Sequence, residues 1–421
     1  MKIAIIGAGI SGLVTAHQLS SDHEVTVFEA NHYVGGHTNT VTVKEDGREF
    51  GVDTGFIVFN DRTYPRFIAL LDQLGVASQK TEMSFSVKCE STGLEYRGAD
   101  LNGLFAQRRN LFRPQFLRLL YDLLRLKKVA EPLLSSDDET ETVGDFLKRN
   151  RFSQSFIDQY FLPMGAAIWS CPFDRFNEFP MRFIAEFYQN HGLLGVTDRP
   201  QWRVIRGGSR EYVPKLIAGF QDRIRLDSPV TGIRRSGKSV QLTVQGEAHP
   251  FEHVVFACHS DQALAILGDE ATPLEREVLS AFPYERNTAI LHSQADVMPR
   301  NKRAWAAWNY FRPNNDSGKA TVTYNMNILQ SLDTRKTYCV TLNDEARIRP
   351  ENVIREFVYH HPTFDLRRRA MQQRQKELIN HHHTSYCGAY WGNGFHEDGV
   401  RSGLAVSELL GNASRCEGSK A

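Results

Sequence analysis

Short apolar runs broken by turn residues set the pattern of this chain. Lys2–Ile6 (KIAII) reads as a buried parallel strand, and residues 11–20 (SGLVTAHQLS) as a helix with Leu13, Val14, Ala16 and Leu19 facing inward. Glu24–Phe28 (EVTVF) follows as a second strand. Farther on, residues 240–244 (VQLTV) alternate as a half-buried strand does, while 253–258 (HVVFAC) are apolar after His253, as in a strand covered on both faces. From a start near Pro114, residues Phe116, Leu119, Leu120, Leu123 and Leu124 recur at helical spacing. No stretch approaches the roughly 18 uninterrupted apolar residues of a membrane span. The run after Lys2 has the outline of a secretory leader, but glycines interrupt it.

Those glycines carry the first chemistry. Gly7, Gly9 and Gly12, with Ser11 among them, join the first strand to the first helix as G-x-G-x-x-G. In a dinucleotide fold the first makes a tight turn, the second lets backbone approach a pyrophosphate, and the third lets helix pack on strand. The helix N-terminus then offers unpaired N–H groups and a positive dipole end to the phosphates. Glu29, closing the second strand, is placed to accept the ribose hydroxyls of an unphosphorylated adenosine.

Composition narrows the class. The 421 residues, 41% of them hydrophobic, are a folded globular composition, and the length calls for two domains. With 50 Lys and Arg against 49 Asp and Glu, the net charge of +1 removes the electrostatic basis for nucleic acid binding. Six scattered cysteines without a CxxC pair read as free thiols in a reducing compartment. The average hides a local excess: Arg108, Arg109, Arg113, Arg118, Arg125, Lys127 and Lys128 face only Asp122 and Glu131 within 104–134. Such a segment can lie on an anionic lipid surface, or pack its leucine face on the core; both readings stand. The acidic run 135–141 reads as a solvated loop. His360, His361, His381, His382, His383 and His396 lack carboxylate or Cys partners at ligand spacing, so they read as solvated or core residues and no metal is expected.

After Glu29 come Gly35, Gly36, His37 and Thr38, then F50-G-V-D-T-Gly55-F56, the Gly207-Gly208 turn with Tyr212, and Val230 in a later strand. The last block, 386–403, holds Gly388, Asp398, Gly399, Val400 and Ser402 ahead of an apolar helix. In this order the segments resemble the flavin-dependent amine oxidase superfamily, with its monoamine and polyamine oxidases, protoporphyrinogen oxidase and phytoene desaturases. The resemblance implies an α/β fold: an FAD-binding Rossmann-like domain from 1–80, 200–265 and 375–415, and a discontinuous α+β substrate domain from 81–199 and 266–374. It implies FAD contacts at Gly7, Gly9, Ser11, Gly12, Glu29, Gly35, Gly36, His37, Thr38, Gly55, Val230, Gly388, Asp398, Gly399, Val400 and Ser402.

Three departures from the family pattern follow. His37 stands where Arg is common, which makes the charge beside the pyrophosphate smaller or pH-dependent. Ala389 replaces an acid, which moves the ribityl contact to Asp398. The Lys near flavin N5 is missing from 285–291, where Asn287 or Thr288 takes its place, so no catalytic side chain is assigned. No cysteine matches the covalently flavinylated members, Cys387 being nearest, and noncovalent FAD is expected. Residues 164–172 resemble a small-residue helix with Trp169 at the substrate cavity, and Trp305, Trp308, Tyr310 and Tyr324 add aromatic rings to a large apolar pocket.

The segments GFIVFN, GAAIWS and GNGFHEDG resemble a bacterial flavoprotein branch similar to the flavin domain fused to plant cyclopropane fatty acid synthases. That likeness implies an oxidoreductase that dehydrogenates or isomerises an unsaturated or methyl-branched fatty acyl chain by hydride transfer to flavin N5. The implied setting is cytoplasmic, peripheral at the inner face of the membrane through 104–134, with a lipid methyltransferase as partner. Two alternatives stand beside it: an amine or polyamine oxidase, and a noncatalytic FAD-binding partner of such a methyltransferase.

Overall fold

A computed structural model of the chain describes residues 1–136, 139–195, 199–237, 239–314 and 319–418, with 412–418 described by backbone alone. Five parallel strands form one sheet in the spatial order Ile224–Arg225, Glu24–Phe28, Lys2–Ile6, His253–Phe256, Thr384–Tyr386. In chain order this is 3-2-1-4-5, a doubly wound arrangement whose ligand crevice lies outside the carboxyl ends of the central strands. Ile3, Ala4 and Ile5 of the first strand and His253, Val254, Val255 and Phe256 of its neighbour are all buried, which is why these segments lack polar alternation.

The helix Ile10–Leu19 buries Leu13, Val14, Ala16 and Leu19 as the periodicity requires. The carboxy-terminal helix His396–Gly418 lies against it. Contact is close because a Cβ on Gly403 would stand 2.7 Å from the Ser11 carbonyl oxygen, and Thr15 Oγ1 donates both to that carbonyl and to the carbonyl of Gly403.

A second, seven-stranded mixed sheet runs Val353–Pro362, Tyr284–His292, Cys339–Leu342, Val322–Asn325, Trp308–Arg312, Phe85–Cys89, Leu94–Arg97. Its strands all derive from 81–199 and 266–374. The helix Pro114–Leu134 begins at the proline the sequence suggests, since Pro needs no N–H partner in a first turn. Between the sheets, the helix Leu162–Trp169 is preceded by a π turn over Ile157–Phe161, widened just ahead of Pro163. Trp169 packs among Phe176, Phe179, Phe183 and Phe187 in the larger core.

The acidic run 135–141 is not a solvated loop where it is described. Glu139 pairs with Arg182 and Arg369, and Glu141 takes a two-pronged bond from Arg149, because arginines of three separate helices converge on these acids. Asp137 and Asp138 lie outside the described residues.

Candidate active site

The chain end of the first parallel strand turns at Gly7, whose N–H donates to the Phe28 carbonyl, and enters the helix at Gly9 and Ile10. The following loop returns over this turn: Gly35 N–H donates to the Ala8 carbonyl, and Gly36 rests on Gly9. Glu29 is buried and holds the turn from below, Oε2 accepting from the Ala8 N–H at 2.8 Å and Oε1 from the Asn31 backbone and side chain. A carboxylate so fixed keeps lone pairs for further donors on its cavity side.

These groups open onto a cavity of about 1660 Å³. That exceeds the roughly 300–1,000 Å³ of ordinary small-molecule sites and leaves room for a dinucleotide and a second ligand. Gly7, Gly9, Ser11, Glu29, Gly35, Gly36, His37, Gly55, Val230 and Gly388 all line it, as do Gly394, Phe395 and His396 at the start of the carboxy-terminal helix. The fit to FAD rests on shape as well as residue type: a Cβ at Gly9 would meet no protein atom within 4 Å, so the helix N-terminus faces open space of the kind a diphosphate fills.

Six of the sequence-derived positions do not line this cavity. Gly12 packs the helix on the Gly7 turn. Thr38 is buried and bonds Tyr212 Oη at 2.5 Å and His396 Nε2 at 3.1 Å, while Ser402 Oγ accepts from the Gly388 N–H at 2.9 Å and donates to the Gly399 carbonyl, shaping the loop from behind. Gly399 lies on Ile10 and Ser11, and Val400 enters the core behind the parallel sheet. The Asp398 carboxylate accepts from the backbone N–H groups of Asn393 and Phe395 and pairs with Arg401, so it caps its own helix and fixes the preceding loop. Asn287 and Thr288 are likewise buried behind the wall: Asn287 bonds His361 Nδ1 and Asn343, and Thr288 N–H donates to Asn343 Oδ1.

His361 is thus the group that strand arrangement presents, and it belongs to a cluster. His37, His259, His360 and His361 converge on the cavity wall, with the His37 ring 4.9 Å from Tyr359 and 5.4 Å from His361. Reading the His360–His361 pair as solvated or core misses this. The accessible signal was positional: His259 follows the fourth parallel strand, at the crevice where such sheets bind ligands. Burial, with His259 and His360 beside it, holds the His37 imidazole down to about 3, so it is neutral at pH 7. A diphosphate bound beside His37 would raise that value, and the cofactor would then bind with proton uptake. FAD affinity is expected to rise as pH falls below neutrality, and His37→Gln to flatten that dependence and weaken binding on the order of tenfold; fluorescence titration of apoprotein across pH measures both.

Beyond the cofactor end the cavity becomes aliphatic and aromatic: Leu119, Leu120, Leu123, Met164 and Ile168 face Tyr96, Tyr160, Trp308 and Tyr324. Tyr160 stands on the π turn. Among the described residues the carboxylates of the wall are Glu29, engaged at the turn, and Asp100, which bonds Arg97 and caps Leu101–Leu104. Described side chains show no group of acids, histidines and cysteines arranged to hold a metal.

Cyclohexylamine oxidase from Brevibacterium oxydans IH-35A shares this fold, with a TM-score of 0.69 at 18% identity over 97% of this chain and 99% of that one. A CLA-producing fatty acid isomerase from P. acnes gives 0.66 at 15% identity over 98% of each. The 4,4'-diapophytoene desaturase of Staphylococcus aureus is 45% identical over 62 residues, which span 14% of this chain and only 12% of that protein. The sequence model of the family described as flavin containing amine oxidoreductase matches residues 10–294, well over half the chain and most of the crevice described above. The chain therefore belongs to the flavin containing amine oxidoreductases and is an FAD-dependent oxidoreductase.

Proposed function

We propose that the enzyme dehydrogenates or isomerises an unsaturated or methyl-branched fatty acyl chain. One observation carries this reading: the space next to the cofactor end is a long aliphatic and aromatic chamber whose wall, among the described residues, presents no unengaged carboxylate. A polyamine needs acids to replace the water around its charges, whereas an acyl chain needs only apolar surface, at about 25 cal/mol for each Å² removed from water. The strand Tyr284–His292 also contains no Lys. That the fold is shared by a fatty acid isomerase is compatible with the reading, although cyclohexylamine oxidase shares it too.

A bound flavin supplies a hydride acceptor at N5. The chain's own residues do the rest. Backbone N–H groups at Gly9–Ser11 neutralise the diphosphate, Glu29 orients the adenosine ribose, and the helix starting at His396 presents its positive end to the ring. Leu120, Leu123, Met164 and Tyr160 exclude water around the acyl chain. Noncovalent attachment is part of the proposal, because Cys387 is buried against Thr15 Oγ1 at 3.7 Å, away from the cavity wall; acid precipitation is expected to release all the yellow colour into the supernatant.

Anaerobic incubation of FAD-loaded protein with monounsaturated phospholipids in detergent micelles tests the function. Loss of the visible flavin band, or a shifted double bond in the recovered methyl esters by mass spectrometry, is the expected result. Bleaching by putrescine or cyclohexylamine with lipids inert would transfer the protein to the amine oxidases, and inertness to both would leave it a noncatalytic FAD protein.

A further inference from the structure

The apolar chamber reaches the surface along the helix Pro114–Leu134. Leu120 and Leu123 are half-buried in its wall, but Leu124 lines the same wall while 70% exposed. Leu101, opening the helix Leu101–Leu104, has the same double character at 75% exposure. Side chains that are at once wall and surface mark a mouth. Outside it Phe112 is 84% exposed, and Leu117 and Tyr121 precede Leu124 at i, i+4, i+7 on one exposed helical stripe. Grouped apolar exposure of this kind marks an interaction site.

Cations surround this apolar rim. Arg108 and Arg109 donate to carbonyl and amide oxygens, which leaves their charges uncompensated, and Arg113, Lys127 and Lys128 have no acidic partner among the described residues. A distant part of the chain adds to them, because the turn Lys302–Ala304 packs on Leu101–Leu104 and exposes Lys302 and Arg303. The local acids are mostly engaged: Asp122 is buried between Arg118 and Arg125, and Asp100 pairs with Arg97. The net charge of the whole chain is +1, so this concentration is a property of the rim.

We infer that the rim docks on a bilayer carrying anionic headgroups, with Phe112 and Leu101 entering the acyl boundary and the cations meeting the phosphates. The chamber mouth then opens into hydrocarbon, and an apolar chain passes inward without crossing water. Charge complementarity selects this occupant: an apolar apex ringed by Lys and Arg is the arrangement of interfacial membrane helices. Passage of a substrate chain rests on the function proposed above, whereas docking does not.

Flotation of FAD-loaded protein with vesicles of saturated phosphatidylcholine, with or without saturated phosphatidylglycerol, separates the two. Saturated chains offer no double bond, so docking is read without turnover, and failure of the acyl-chain reaction in micelles leaves this result intact. The protein is expected to float only with phosphatidylglycerol and to be released at high salt. Phe112→Asp and Lys128→Glu are each expected to weaken binding about fivefold or more while the flavin spectrum and melting temperature stay as in the parent. Absence of flotation, equal flotation with neutral vesicles, or indifference to both substitutions overturns the inference. Self-association abolished by Phe112→Asp, without flotation, overturns it in favour of a second copy of this chain.

Discussion

Gly9→Ala is expected to yield a folded protein that has lost most of its affinity for FAD, whereas Gly12→Ala is expected to lose both fold stability and cofactor. The two glycines lie one helical turn apart and face different neighbours. A methyl at Gly9 meets no protein atom within 4 Å, and its backbone φ of −77° is open to any residue, so the apoprotein should change by less than about 1 kcal/mol. That methyl points where the helix N-terminus meets the cavity. It holds a diphosphate away from the first N–H groups, and two weakened charge-assisted bonds cost about 3 kcal/mol, on the order of a hundredfold in affinity. At Gly12 the same methyl would lie 2.1 Å from the Gly7 carbonyl oxygen and 3.0 Å from Ala257 Cβ. Neither neighbour is a flexible side-chain tip, so helix and strand must separate, at about 3 kcal/mol or more. Thermal unfolding of the apoproteins and FAD titration read the two effects separately. Wild-type affinity in Gly9→Ala would mean that the diphosphate does not lie at this turn.

This contrast was already legible in the sequence, because the strand, turn and helix around Gly7 and Gly12 are set by neighbours within about twenty residues, and local periodicity reports such elements directly. Pro114 announced its helix for the same reason. The seven-stranded sheet was not legible as a sheet. Phe85–Cys89 pairs in parallel with Trp308–Arg312, segments more than two hundred positions apart, and nothing local encodes that register. The site divides along the same line. Glu29 could be placed from spacing alone, since it ends the strand adjacent to the turn it supports. Asp398, expected at the ribityl chain from the family pattern, also has a local reading as a cap, being an acid in the first turn of a helix after a glycine-rich loop. The four-histidine wall escaped because His37, His259 and the His360–His361 pair come from three separate segments, and only the assembled fold brings their rings within 6.3 Å.

A second large effect is expected where the parallel sheet is tied to a three-stranded antiparallel sheet of Val230–Ser236, Ser239–Val244 and Glu247–Phe251. Glu275, on the helix Pro273–Leu279, is fully buried and takes two bonds from the Arg235 guanidinium at 3.0 and 2.5 Å, with a third from Tyr386 Oη at 2.5 Å and a fourth from the Thr272 N–H at 2.8 Å. Glu275→Leu leaves the Arg235 charge buried without a counterion and should cost 3–5 kcal/mol, as order of magnitude, in urea unfolding at about pH 7. The double variant Arg235→Met with Glu275→Leu should recover much of that loss, since the desolvation of both charges is removed together. A double variant as unstable as the single one would show that packing around the helix, and not the unpaired charge, sets the cost. The pH dependence has a definite sign. Burial pushes the Glu275 carboxyl up, but the bonds from Arg235, Tyr386 and Thr272 outweigh it and hold the group down to about 2. A carboxyl lowered in the fold stabilises fully above its unfolded value, and that contribution is lost as pH falls toward about 2. The stability gap between the parent and Glu275→Gln is therefore expected to narrow from about pH 5 downward. Arg235 lies on the strand that begins at Val230, and Tyr386 ends the strand that leads to Gly388. Loosening this pair should thus weaken FAD binding as well, from a position that touches no cofactor.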